Sequence, residues 1–173
     1  MQLGAVGFDE QLYARFIDDI KNSKAALSIG TGDYVDHFRP TIRHNLEDAL
    51  RTDMDAKAAM DRMYMDWFSK QLKKIEPIFK HTKCVGLVTG HHTYTFRDGT
   101  TADQMICKHF GVPFLDEMGM VEVRWMYLHE HPSSGWALTF HAQHGHGGGS
   151  YVHTDIPNLQ HKTMPYYDAD IFF

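Results

Sequence analysis

The chain has 173 residues, 43% hydrophobic and 13% aromatic, enough for one domain with a substantial core and too apolar for a disordered segment. A net charge of −5 and a pI near 6.2 give no general attraction to nucleic acid, although a metal site holds phosphates even within an acidic protein. No apolar run reaches bilayer-spanning length and no secretory pattern opens the chain, so the expectation is a soluble cytoplasmic protein.

Leu12, Phe16 and Ile20 recur at four-residue spacing behind Asp9, a helix-capping residue type, and predict a helix over 8–20. Residues 25–29 (AALSI) form an apolar run that ends in a Gly-rich turn, the pattern of a buried strand. Over 53–79 the residues Met60, Met63, Tyr64, Trp67, Phe68, Leu72 and Ile75 make a core-facing helical stripe, with Pro77 marking its end. Residues 84–89 (CVGLVT) predict a second buried strand that runs into Gly90, and residues 101–110 a helix closed by Gly111. Two further strands are expected over 121–128 and 136–142, joined through HPSSG, and a last apolar strand begins at 170. Cys84 and Cys107 are isolated in apolar contexts and read as buried free thiols of a reducing compartment. No repeat or linker divides the chain. Strands alternating with helices predict a single α/β layered domain over 1–173, with its site on loops at the carboxyl ends of strands.

Three such loops are rich in metal-ligand types. The first is Gly32-Asp33-Tyr34-Val35-Asp36, where a carboxylate follows a glycine that allows close approach. Acidic turns of this kind also occur without any ligand. The second is Gly90-His91-His92, whose adjacent imidazoles point to different sides; two satisfied structural histidines are the alternative. The third spans 141–150 (HAQHGHGGGS) and sets His141, His144 and His146 before a run of three glycines. Imidazole suits zinc, iron, nickel or manganese, and the glycines open the backbone to a ligand. Without a lysine this run is no nucleotide-binding P-loop. The chain's 13 histidines crowd into its second half, and these loops hold the densest groups.

The order strand-GDxxD, strand-GHH, strand-HxxHGHGGG resembles the calcineurin-like metallophosphoesterases, in the form seen in phage and bacterial members. That family is marked by DxH, GDxxD, GNHE or GNHD, a histidine after a strand, and GHxH. The GDxxD match over 32–36 is complete. In the second motif His91 replaces the asparagine and Thr93 the acid. Residues 1–5 (MQLGA) resemble the sequence just after the first aspartate, with Gln2 in the histidine's place, and residues 167–173 resemble the strand that leads into GHxH.

The resemblance implies a layered β-sandwich flanked by helices and incomplete at both ends, and hydrolysis of phosphate mono- or diesters, nucleotide or nucleic acid among them. It implies two divalent cations (Mn, Fe or Zn) that activate water, no membrane partner, and a bacterial or phage-infected cytoplasm. Asp33 would bridge the cations, His91 would take the asparagine's position, and His144, with His141 as its alternative, would complete the second metal's shell. His92 would protonate the leaving oxygen. Asp36, Gly32, Gly90 and Gly145 would support the loops. The absent first aspartate and GHxH histidines lead to the expectation of a weakly active or inactive chain. Two other readings stay open: a non-catalytic binding module on the same scaffold, and a mononuclear metal protein using His141, His144 and His146. Trp125, Tyr127 and Trp136 are read as core packing in preference to a stacking surface for bases.

Overall fold

The computed structural model describes residues 3, 5, 7–23, 27–35, 54–126, 135–144 and 169–172. Among them run α1 (Glu10–Asn22), β1 (Leu27–Gly30), α2 (Met54–His81), β2 (Lys83–Leu87), α3 (Ala102–Phe110), β3 (Met118–Met126), β4 (Gly135–Gln143) and β5 (Ile171–Phe172). The architecture is mixed helix and strand with two small sheets, which agrees with the α/β expectation in its general form. None of the described helices is long and apolar enough to cross a membrane.

The Asp9 carboxylate opens α1 by accepting the Leu12 amide at 2.9 Å. The residues whose spacing predicts the helix are not the ones it buries most deeply. Ile17 is buried, whereas Leu12 and Phe16 are 62% and 46% exposed. The helix instead turns Tyr13 and Ile17, four residues apart, toward its neighbour. The Tyr13 hydroxyl donates to the Lys74 carbonyl at 2.6 Å, and Lys74 Nζ lies 3.3 Å from Glu10. That hydroxyl bond ties this side of α1 to α2.

β1 and β2 pair in parallel from Leu27↔Lys83 to Gly30↔Leu87, with a register shift after Ser28. A parallel pair needs a long crossover, and α2 lies within it. Two isolated parallel bridges lie nearby, Leu87↔Phe114 on the free side of β2 and Leu3↔Val35 beyond the end of β1. The stripe on α2 delivers Tyr64, Phe68, Leu72 and Ile75 to the core, but Met63 is 61% exposed. Pro77 does not end the helix, which continues to His81. Proline removes one amide and so one intrahelical bond, and so close to the terminus that loss is outweighed by packing. Phe79 stacks on Phe110 at 4.0 Å, and Thr82 bonds the Ile78 carbonyl through both its amide and its hydroxyl.

α3 carries a capping box between Thr101 and Gln104 and ends at Gly111, whose φ of 66° is left-handed. β3 and β4 then form an antiparallel ladder from Met118↔Gln143 to Met126↔Gly135, and β5 joins β4 in parallel. Trp125 and Trp136 face each other across this ladder and stack at 4.3 Å, 39% and 52% exposed. The core-packing expectation fails for this pair, which shields its area by mutual stacking; Tyr127 lies outside the described residues. The two cysteines are free, with Cys84 half-buried and Cys107 buried.

Candidate metal centre

The parallel alignment of β1 and β2 brings their carboxyl ends side by side, so the turns after them meet. Gly32 turns the chain with a φ of 92°, and Asp33 follows at 51°, a left-handed conformation that only a minority of non-glycine residues adopt. Tyr34 pins this turn: its hydroxyl accepts the Gly32 amide at 3.0 Å and donates to the Val88 carbonyl at 2.8 Å. Burial pushes the Tyr34 phenol well above its ordinary pKa, so it stays protonated and can keep donating. The second turn is joined to the first through the Val88 amide, which donates to the Gly30 carbonyl.

Asp33 is the hub. Its Oδ1 accepts the His92 amide at 3.2 Å, which aims Oδ2 at three imidazoles. Oδ2 lies 3.4 Å from His91 Nδ1, 3.5 Å from His144 Nε2 and 4.0 Å from His92 Nε2. His91 Nδ1 and His144 Nε2 are themselves 2.5 Å apart. Among the described residues, Asp33, His91 and His92 bring one ligand atom each within 4.8 Å of one another.

The tautomer of His144 follows from its other nitrogen. Nδ1 is 2.6 Å from the Thr31 carbonyl, and a carbonyl oxygen only accepts, so Nδ1 carries the proton. In the neutral ring Nε2 then presents its lone pair toward Asp33 and His91, the arrangement by which a backbone carbonyl orients a metal-ligating histidine. One carboxylate oxygen and imidazole nitrogens converging on one point is a donor set for zinc, manganese or iron. Glycines make the convergence possible. A Cβ built on Gly32 would lie 2.5 Å from His144 Nδ1, and one on Gly90 would collide with the amide and Oδ1 of Asp33.

The sequence-derived residues thus separate into groups. Asp33, His91, His92 and His144 are brought together with Gly32 and Gly90. His141 is wholly buried in β4 opposite Met120, burial lowers its pKa, and it is not part of the gathered group among the described residues. Asp36, Gly145 and His146 lie outside the described residues.

One residue escaped the sequence reading. Asp103, in the first turn of α3, is 1% exposed, and its Oδ2 accepts from the Gly90 amide and the Thr89 hydroxyl, each at 2.9 Å. Burial raises its pKa while the bonds from Gly90, Thr89 and Thr93 pull it back down. An acidic residue in a helix's first turn is so ordinary that sequence offers no sign of this role. Comparison of the chain with protein-family models, characterised proteins and solved structures yields no match.

Proposed function

We propose that the chain is a metal-dependent phosphoesterase of calcineurin-like type, hydrolysing phosphate mono- or diesters at the centre formed by Asp33, His91 and His144. The observation that carries this reading is the convergence of Asp33 Oδ2, His91 Nδ1 and His144 Nε2, with the His144 proton held away on Thr31. The order of the contributing loops, GDxxD then GHH then the histidine after β4, supports the same family over an unrelated histidine-cluster metal protein.

Divalent cations held there supply Lewis acidity toward phosphoryl oxygens and acidify water. The chain's own residues do the rest. Asp33 would offer Oδ2 to a cation, because Oδ1 is occupied by the His92 amide. His92 keeps its side chain 18% exposed and its Nε2 4.0 Å from Asp33 Oδ2, at the edge of the ligand group. From there it delivers a proton to the leaving oxygen, a general-acid role that imidazole side chains commonly fill. His91, 57% exposed, stands at the open side where a substrate enters. Nucleotides and nucleic acid are the substrates favoured by the resemblance.

The test is calorimetric titration of Mn²⁺ into the chelator-stripped chain, beside Asp33→Ala, followed by hydrolysis of a chromogenic phosphodiester. About two ions bound, binding lost in the variant, and metal-dependent hydrolysis that is weak at most are the expected results, since the motifs at both ends are incomplete. A single ion indifferent to Asp33 would instead favour the mononuclear histidine protein. No binding at all would end the metal reading.

A further inference from the structure

We propose that Asp103 is a positioning residue of the metal centre, clamping from α3 the turn that carries His91 and His92. The inference rests on the metal-centre reading above and extends it to a residue that touches no ligand atom. Asp103 Oδ2 accepts from the Gly90 amide and the Thr89 hydroxyl, both at 2.9 Å. The two residues that precede His91 are therefore tied to one side chain.

The clamp sits on a rigid mount. The Thr101–Gln104 capping box fixes the start of α3, the Ala102 amide bonds the Tyr94 carbonyl at 2.8 Å, and Ile106 and Cys107 anchor the helix in the core. What it holds is in direct contact with the hub, since Gly90 packs against the backbone and carboxylate of Asp33. Asp103 thus sets Gly90, Gly90 sets Asp33, and the His91 ring is held 3.4 Å from the Asp33 oxygen. A carboxylate buried to 1% exposure is costly unless its bonds are made, so the clamp has no inexpensive alternative position. Asp33 also lies near enough to repel Asp103, and a cation drawn to Asp33 relieves that repulsion.

The test uses the full chain and Co²⁺ alone, followed by its visible absorption, with circular dichroism to report folding. Asp103→Asn keeps the shape but removes the charge and one acceptor, and Thr89→Val removes a single bond. Asp61→Asn is the control, because Asp61 holds the next stretch through the Tyr94 hydroxyl at 2.8 Å and the Arg97 amide at 3.3 Å, beyond the histidines. Asp103→Asn is expected to weaken Co²⁺ binding about 10–100-fold and alter the absorption band, with Thr89→Val intermediate. Asp61→Asn is expected to lower stability and leave affinity and band unchanged. Wild-type affinity and spectrum in folded Asp103→Asn, or in Thr89→Val should Asp103→Asn not fold, would overturn the inference. Equal weakening by Asp61→Asn would do the same, by showing a general loss of structure. A wild-type chain that binds no Co²⁺ removes the metal reading and this inference together. Binding that is lost in Asp33→Ala but indifferent to Asp103 removes the inference alone.

Discussion

Gly32 and His144 are 112 residues apart in the chain, yet a Cβ on Gly32 would stand 2.5 Å from the His144 ring nitrogen that bonds Thr31. The same Cβ would lie 2.9 Å from both Gly90 Cα and the Thr89 carbonyl, so backbone blocks any relief on that side. Gly32→Ala adds the strain of a φ of 92°. The variant is expected to lose about 1–3 kcal/mol of stability from backbone strain. Its metal affinity should fall as well, because the His144 ring has to tilt off the Thr31 carbonyl. Urea denaturation and Co²⁺ titration measure the two effects; a variant with unchanged affinity would mean that His144 is not a ligand.

His144 and His141 offer a sharper comparison, since both lie on β4 or its end and both are sequence candidates for the same shell. His144 faces Asp33 and His91, whereas His141 is enclosed in the sheet. His144→Ala is expected to weaken metal binding by at least the roughly 10–100-fold typical of disturbing an orienting partner, with a modest change in stability. His141→Ala is expected to do the reverse, destabilising the fold through the space it leaves while binding stays near the wild-type value. Parallel titrations and melts decide it. An affinity that collapses in His141→Ala alone would reassign the ligand.

How much of this was legible beforehand depended on whether a feature is local. The Asp9 cap, the Thr101 start and Gly111 stop of α3, and the strands that run into Gly32 and Gly90 are fixed by neighbours in sequence, and each lies where expected. Orientation was less readable. Leu12 and Phe16 carry the helical spacing, but the side that meets α2 is the one with Ile17 and with Tyr13, whose hydroxyl reaches Lys74, 61 residues away. Trp125 and Trp136 were read inward because aromatic residues commonly are, while the ladder pairs them with each other at a more exposed place. Within the centre, Asp33 and the histidines are visible as residue types. That His144 faces Asp33 while His141 is enclosed, and that Asp103 bonds Gly90 and Thr89, arise only from tertiary contact.

That bond between Tyr13 and Lys74 predicts the behaviour of Tyr13→Phe. The ring contacts with Phe8 and Phe16 survive, and only the hydroxyl is lost. The expected cost is about 1 kcal/mol, the net value of one hydrogen bond, with the Lys74 carbonyl left to find water. Amide exchange should rise across α1 and remain unchanged across β3 and β4. Faster exchange spread evenly over the chain would mean that α1 is not a separable unit.

Alkaline pH tests the buried acids. Burial pushes the Cys107 thiol from 9.0 up to about 12 and the Tyr13 phenol from 10.0 up to about 12, and it raises Tyr34 as well. In the unfolded chain these groups release their protons near their ordinary values, whereas the folded chain still holds them. Between pH 9 and pH 12 the unfolded state therefore binds fewer protons, and stability falls as pH rises. Below pH 9 their contribution is fully present, and above the folded values it is gone. The urea midpoint should accordingly be level from pH 7 to about 8.5 and then decline steadily toward pH 11. Cys107→Ala should make the onset of the decline shallower, leaving Cys84, whose thiol burial also raises, to carry it until the phenols titrate. Tyr13→Phe should reduce its slope above about pH 10, where the phenol's own unfolded-state titration begins. A midpoint constant to pH 11 in the parent chain would show that neither group is protected as its burial implies, and would remove the packing of α1 and α3 on which that protection depends.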